Sequence, residues 1–210
     1  GSLLVLDATQ SVGLIPIDVK RDGVDALVAG GYKGLLGPFG AAIFYLKQEL
    51  VEKLEPAFAG WRSTPTPYDL DATKLNFAAS ARKFEFSTVN YSSPVGLAES
   101  MRYLRKLGRS ELTKHVLSLA GELIETARGD ENLPGLTILT PTEPNSHASI
   151  VSLRFERLDQ AEVVASLLRR NIIVSQRFNG VRLSFHAYNT EADISRAISA
   201  LEDYRKSPTS

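Results

Sequence analysis

The stretch Ala29-Gly30-Gly31-Tyr32-Lys33-Gly34-Leu35-Leu36-Gly37-Pro38-Phe39-Gly40 decides the fold. It places a lysine in a glycine-rich turn just after the apolar run Ala26-Leu27-Val28-Ala29. Upstream, a second apolar run, Leu3-Leu4-Val5-Leu6, ends in Asp7-Ala8-Thr9-Gln10. Short, unbroken apolar runs of this kind predict parallel strands covered on both faces. One strand then delivers a carboxylate and the next delivers a lysine. The glycines lack a Cβ, so backbone can approach a ligand closely and adopt positive φ. Two familiar phosphate loops do not fit. A nucleotide loop needs Gly-Lys-Ser/Thr, whereas Tyr32 precedes Lys33 and Gly34 follows it. The spacing of Gly34, Gly37 and Gly40 also misses the dinucleotide fingerprint.

Taken singly, each residue has an ordinary explanation. Asp7 can cap the turn after its strand, Gln10 can be a polar turn residue, and Lys33 can be a solvated lysine. Together they suit pyridoxal 5'-phosphate. That cofactor needs an amine for a Schiff base and an acid beside its pyridine nitrogen.

The order and spacing of these pieces resemble the class V aminotransferase family, which includes cysteine desulfurases, kynureninase and isopenicillin N epimerase-like proteins. The resemblance extends through Arg82-Lys83-Phe84-Glu85-Phe86-Ser87-Thr88-Val89-Asn90 and Val181-Arg182-Leu183-Ser184-Phe185-His186-Ala187-Tyr188-Asn189-Thr190. It implies the fold type I α/β architecture: the C-terminal part of a large cofactor domain followed by a small α/β domain. By the same resemblance Asp7 meets the pyridinium, Gln10 the phenolic oxygen, and Lys33 the cofactor aldehyde. Tyr32 stands beside the phosphate where relatives often have His. Thr88 reaches the phosphate of the partner subunit, and Arg182 holds the carboxylate of an amino-acid substrate. A homodimer with shared active sites is implied. So is a missing N-terminal half that carries the phosphate-binding helix and the side chain stacked on the ring. The expected organisation is 1–93 for the large-domain half, 94–130 for linking helices and 131–210 for the small domain.

Composition sets outer bounds. The 210 residues carry 24 basic and 24 acidic side chains, so neither a nucleic-acid patch nor a polybasic membrane segment is expected. No apolar run approaches the roughly 18 residues of a membrane span, and a cytoplasmic address follows by default. The absence of cysteine excludes disulfides and thiolate metal sites from this chain. His115, His147 and His186 are scattered without metal-ligand spacing.

Further along, residues 41–46 predict a third strand returning antiparallel, and 48–54 a brief helix. Residues 55–81, with Pro56, Pro65 and Pro67, predict a long loop anchored by Trp61. Helices are predicted over 94–107, with Leu97, Met101 and Leu104 on one face, and over 111–128, capped by Ser110 and stopped by Gly129. The second carries a stripe of Leu112, Val116, Leu119, Leu123 and Ile124. Then follow a strand at 149–155, a helix at 160–170 capped by Asp159, strands at 172–176 and 181–185, and a helix after Thr190 with Asp193 in capping-box position.

Arg182 sits among Val181, Leu183 and Phe185. An arginine there is either half of a structural ion pair or a planar fork for a carboxylate. Arg177 is a weaker candidate nearby. The expected chemistry is transamination, epimerisation or lysis beside an amino acid's α-carbon. A desulfurase-type persulfide is not expected, because that route needs a cysteine near residues 175–180. The alternative from another class is a non-catalytic half that serves dimer assembly.

Overall fold

A computed structural model describes residues 1–71, 73–143 and 145–206. The chain divides into two compact units, Gly1–Lys106 and Leu107–Ser210.

In the first unit, β1 (Val5–Asp7), β2 (Ala26–Gly30) and β3 (Ala42–Leu46) form one sheet in the order β1-β2-β3. β1 runs parallel to β2, and β3 returns antiparallel with Val28 opposite Phe44. Alternation sends Leu6, Leu27 and Ala29 to one face. That face packs with Ala8, Val24, Val12, Ile17 and Ile43. Val5, Val28 and Phe44 point the other way and stay open, with Val5 65% and Val28 43% exposed. On that side the ring of Phe84 meets Phe44 edge-on, 5.4 Å between centroids. The expectation of strands covered on both faces is therefore corrected: within this chain one face is packed. An apolar run records that a strand is suited to a second layer, not that the same segment supplies it.

α1 (Gln48–Lys53) follows, and the long stretch after it contains two short 3-10 turns, Trp61–Ser63 and Ala81–Phe84. α2 (Ser92–Leu107) starts two residues before its proline, capped by Asn90, whose Oδ1 accepts the N–H groups of Ser92 (3.1 Å) and Ser93 (3.2 Å). Its buried residues are Ser93, Leu97 and Leu104, whereas Met101 is exposed. Ser100 takes the inward place instead, donating to the Leu35 carbonyl at 2.5 Å.

In the second unit, α3 (Arg109–Gly129) precedes β4 (Leu136–Ile138), β5 (Ile150–Phe155), α4 (Gln160–Arg169), β6 (Ser175–Arg177), β7 (Gly180–Ser184) and α5 (Glu191–Lys206). The four strands form an antiparallel sheet in the order β4-β5-β7-β6. Its inner face, with Val151, Leu153, Phe155, Val181 and Leu183, packs against Leu119, Leu123 and Ile124 of α3, Val163 and Leu167 of α4, and Ile194 and Leu201 of α5. Each such aliphatic side chain contributes about 1.5–3 kcal/mol on burial.

The predicted α3 stripe is buried throughout. Its cap differs: Gly108, at φ 88°, precedes the helix, and Leu112 bonds back to its carbonyl. A single left-handed glycine thus ends α2 and lets α3 begin, leaving Ser110 inside the helix. Gly129 is the last residue of α3, and Asp130 is its C-cap. Asp159 caps α4 as predicted, accepting the Ala161 N–H at 2.8 Å, and the Asp193 carboxylate accepts the Thr190 N–H at 2.9 Å. β4 was not predicted, and β6 starts at Ser175 rather than 172. Ile172 is instead tied to the end of α4, its N–H bonded to the Leu167 carbonyl. Phe178 and Asn179, with φ 49° and 56°, form the two-residue turn between Arg177 and Gly180.

Candidate functional site at the strand ends

Asp7 is the last residue of β1, beside Val28 in register. Lys33 lies three residues beyond the end of β2, in a turn closed by the Leu36 N–H on its own carbonyl. Thr9 joins the two strand ends. Its N–H donates to Asp7 Oδ1 at 3.0 Å, and its Oγ1 accepts the Gly30 N–H at 3.1 Å. The Thr9 hydroxyl, then its N–H, hold the exposed Asp7 carboxyl below its ordinary value, and the nearby Lys33 charge acts in the same direction. Asp7 therefore presents an ionised, acceptor-only group within electrostatic reach of the lysine. The sequence reading passed over Thr9; its position two residues past a strand-end aspartate was the available signal.

Lys33 is half-buried, its Nζ 5.6 Å from the Tyr32 ring centroid. Tyr32 stacks on Phe39 at 4.7 Å and 25° and remains 42% exposed. A Cβ on Gly30 would lie 2.7 Å from that tyrosine ring. Gln10 is exposed in the turn after β1.

The glycines around Lys33 answer to packing. Cβ atoms on Gly31 and Gly37 would lie 2.9 and 2.7 Å from Leu97 Cδ1, and one on Gly34 would lie 2.4 Å from the Val12 carbonyl oxygen. Among the glycines from Gly30 to Gly40, positive φ occurs at Gly40 alone, at 90°. α2 thus lies directly on the lysine turn. Ser93 Oγ donates to the Phe39 carbonyl at 2.6 Å, and the Ser100 bond to Leu35 fixes the other side. The turn is held as a rigid platform for Lys33.

Thr88 is exposed, four residues after the Ala81–Phe84 turn. That turn is strongly anchored. Lys83, buried, donates to the Val51 carbonyl near the end of α1. Arg82 Nη2 donates to the Thr64 carbonyl at 2.6 Å, Arg62 pairs with Glu85 at 3.1 Å, and Ser63 Oγ donates to the Glu85 carbonyl at 3.1 Å. Gly60 packs so closely on Phe86 that a Cβ would fall 1.9 Å from its carbonyl oxygen. Trp61 packs with Tyr68, 5.6 Å between ring centroids.

In the second unit, Arg182 lies on the polar face of β7, opposite Ser152 of β5 and Ser175 of β6. Its Nε donates to Ser184 Oγ at 3.3 Å. Partial burial, and next the charge of Arg177, lower its pKa from the ordinary arginine value. His186 is buried and stacks on Tyr188 at 5.1 Å, while its Nδ1 accepts the Ala187 N–H at 2.7 Å. Among the described residues no group of three or more His, Asp or Glu is placed to hold a metal ion, and no helix is long and apolar enough to cross a membrane.

The mixed α/β architecture agrees with comparisons to known proteins. The class V aminotransferase family matches residues 1–197, and the chain belongs to that family. The uncharacterized aminotransferase YcbU of Bacillus subtilis is 33% identical over 198 residues, 94% of this chain and 50% of that protein. A probable cysteine desulfurase of Pyrococcus abyssi is 30% identical over 222 residues, 99% of this chain and 53% of the relative. The apo structure of a cysteine desulfurase from Thermococcus onnurineus NA1 superposes with a TM-score of 0.87 at 25% identity, over 98% of this chain and 53% of that one. The chain spans about half the length of the relatives it matches. The fold is that of fold type I pyridoxal phosphate enzymes, and pyridoxal phosphate is the cofactor of the family.

Proposed function

We propose that this chain is the lysine-bearing half of a pyridoxal-phosphate-dependent enzyme acting on amino acids. The observation that carries this reading is the placement of Asp7 at the end of β1 and Lys33 in the turn after β2, within electrostatic reach of each other, with Thr9 joining the two strand ends. The residues fit the cofactor. Asp7 is an acceptor-only group open to a ligand, and Lys33 is a primary amine on a braced turn. Bound there, pyridoxal phosphate supplies an electron sink for bonds at the substrate's α-carbon.

Asp7 would accept a hydrogen bond from the ring nitrogen and keep that nitrogen protonated. Gln10 would donate to the phenolic oxygen. Lys33 would be the residue that holds the cofactor aldehyde through Nζ, and once the substrate amine took its place Nζ would be free to carry the proton at the α-carbon. Tyr32 borders the phosphate, and Thr88 serves the phosphate of the partner subunit in a homodimer with shared active sites. Arg182 grips the substrate carboxylate through its planar fork. The reaction is a transamination, an epimerisation, or a C–S or C–C lysis. A cysteine persulfide route is not proposed, because the chain has no cysteine to attack sulfur. We place the enzyme in the cytoplasm.

An assembly role is favoured by one specific observation. Leu3, just before β1, with Val5 of β1 and Val28 of β2, is apolar and exposed, suited to the remaining half of the protein.

The test is borohydride reduction of the complete, cofactor-loaded protein followed by peptide mapping. The label is expected on Lys33. Label on another lysine would overturn the assignment.

A further inference from the structure

The four strands of the second sheet read Leu-Thr-Ile, Ile-Val-Ser-Leu-Arg-Phe, Ser-Gln-Arg and Gly-Val-Arg-Leu-Ser. They hold three arginines, Arg154, Arg177 and Arg182, and no carboxylate. Register puts all three on one face. Ser152 and Ser175 flank Arg182, and Arg154 and Arg177 each lie two residues along from those serines, on the same side of the pleat. Diagonal neighbours of this kind sit about 7–8 Å apart, within reach of one another's long side chains. The opposite face is the core, so the guanidinium groups cannot turn away. Among the described residues, neither Arg154 nor Arg177 makes an ion pair. Arg177 instead donates to the carbonyl of its neighbour Gln176 at 2.8 Å. In a chain whose 24 basic and 24 acidic side chains balance, this face is a local excess of positive charge.

We propose that Arg177 is a specificity-determining residue that reads a second acidic group, a side-chain carboxylate, on the amino acid whose α-carboxylate Arg182 holds. The inference rests on the assignment of Arg182 under Proposed function. The diagonal spacing suits the two carboxylates of a dicarboxylic amino acid, which stand a few carbon atoms apart. A neutral side chain would leave Arg177, which makes no ion pair among the described residues, without a counter-charge beside Arg182, whose pKa is lowered by partial burial and next by the charge of Arg177. Arg154 adds to the attractive field from the neighbouring strand.

The test uses the complete, cofactor-loaded protein and calorimetric binding of succinate and of its monoamide, succinamate, neither of which can react. Succinate is expected to bind at least tenfold more tightly. Arg177→Gln is expected to abolish that preference, and Arg177→Lys to restore part of it by returning the charge. Equal binding of the two probes, or a preference that survives Arg177→Gln, would overturn the proposal. The peptide map of Lys33 is a separate readout. Failure of the cofactor assignment would appear there, and failure of the dicarboxylate reading in the binding ratio.

Discussion

The Cβ that Gly37 lacks would lie 2.7 Å from Cδ1 of Leu97 and 2.9 Å from the Gly31 carbonyl oxygen. Backbone on one side and a buried helix residue on the other leave little room to relax. Gly37→Ala is therefore expected to destabilise the protein by about 1–3 kcal/mol, the usual cost of overpacking. Denaturant unfolding followed by the single tryptophan measures it. A double-mutant cycle with Leu97→Ala isolates the contact: a smaller cost of Gly37→Ala in the Leu97→Ala background than in the wild type would assign that share to Leu97.

Removing the Thr9 hydroxyl should release Asp7. In Thr9→Val the Asp7 carboxyl loses the leading cause of its lowered pKa and moves up toward the ordinary value of about 3.9. The sign follows from linkage. A depressed folded-state pKa contributes stability above the unfolded value, and that contribution is lost as pH falls through the folded one. The variant should thus lose Asp7 ionisation at higher pH than the wild type. Carboxyl-carbon NMR titration reports this directly, and an unmoved midpoint would refute it.

Arg182→Lys keeps the charge and loses the bidentate fork. Substrate binding should weaken by roughly 1.5–3 kcal/mol, as for a charge-assisted hydrogen bond, while cofactor affinity changes far less. Parallel titrations of the complete protein separate the two. Equal losses would point to a structural ion pair.

Lys83→Met preserves the buried stem and removes the ammonium that sits on the Val51 carbonyl. A loss of about 1.5–3 kcal/mol is expected for that charged hydrogen bond. Amide exchange should quicken first around the Ala81–Phe84 turn.

Much of the fold is legible in the sequence. The runs ending at Asp7 and Ala29 announced their strands, and the heptad-like spacing from Leu112 to Ile124 announced α3, because burial imposes period and composition together. What escaped reading was governed by partners distant in sequence. Ser100 displaced Met101 from the inner face of α2 because the Leu35 carbonyl, 65 residues away, satisfies its hydroxyl. Gly31 and Gly37 looked like ligand-facing glycines, yet the side chain they accommodate is Leu97. β4 is three residues long and borrows its order from Leu153 and Phe155 opposite it. Thr9 gains significance once β1 and β2 lie side by side.

The fastening of Gly60, Arg62 and Ser63 to Glu85 and Phe86, with Arg82 on Thr64, makes the intervening segment tolerant of changes in length. The segment between these clasps closes on itself, so its length is nearly decoupled from the position of Thr88. Loop-closure entropy rises only by about 0.6 kcal/mol for each doubling of length. Insertions near Tyr68 would be absorbed at little thermodynamic cost.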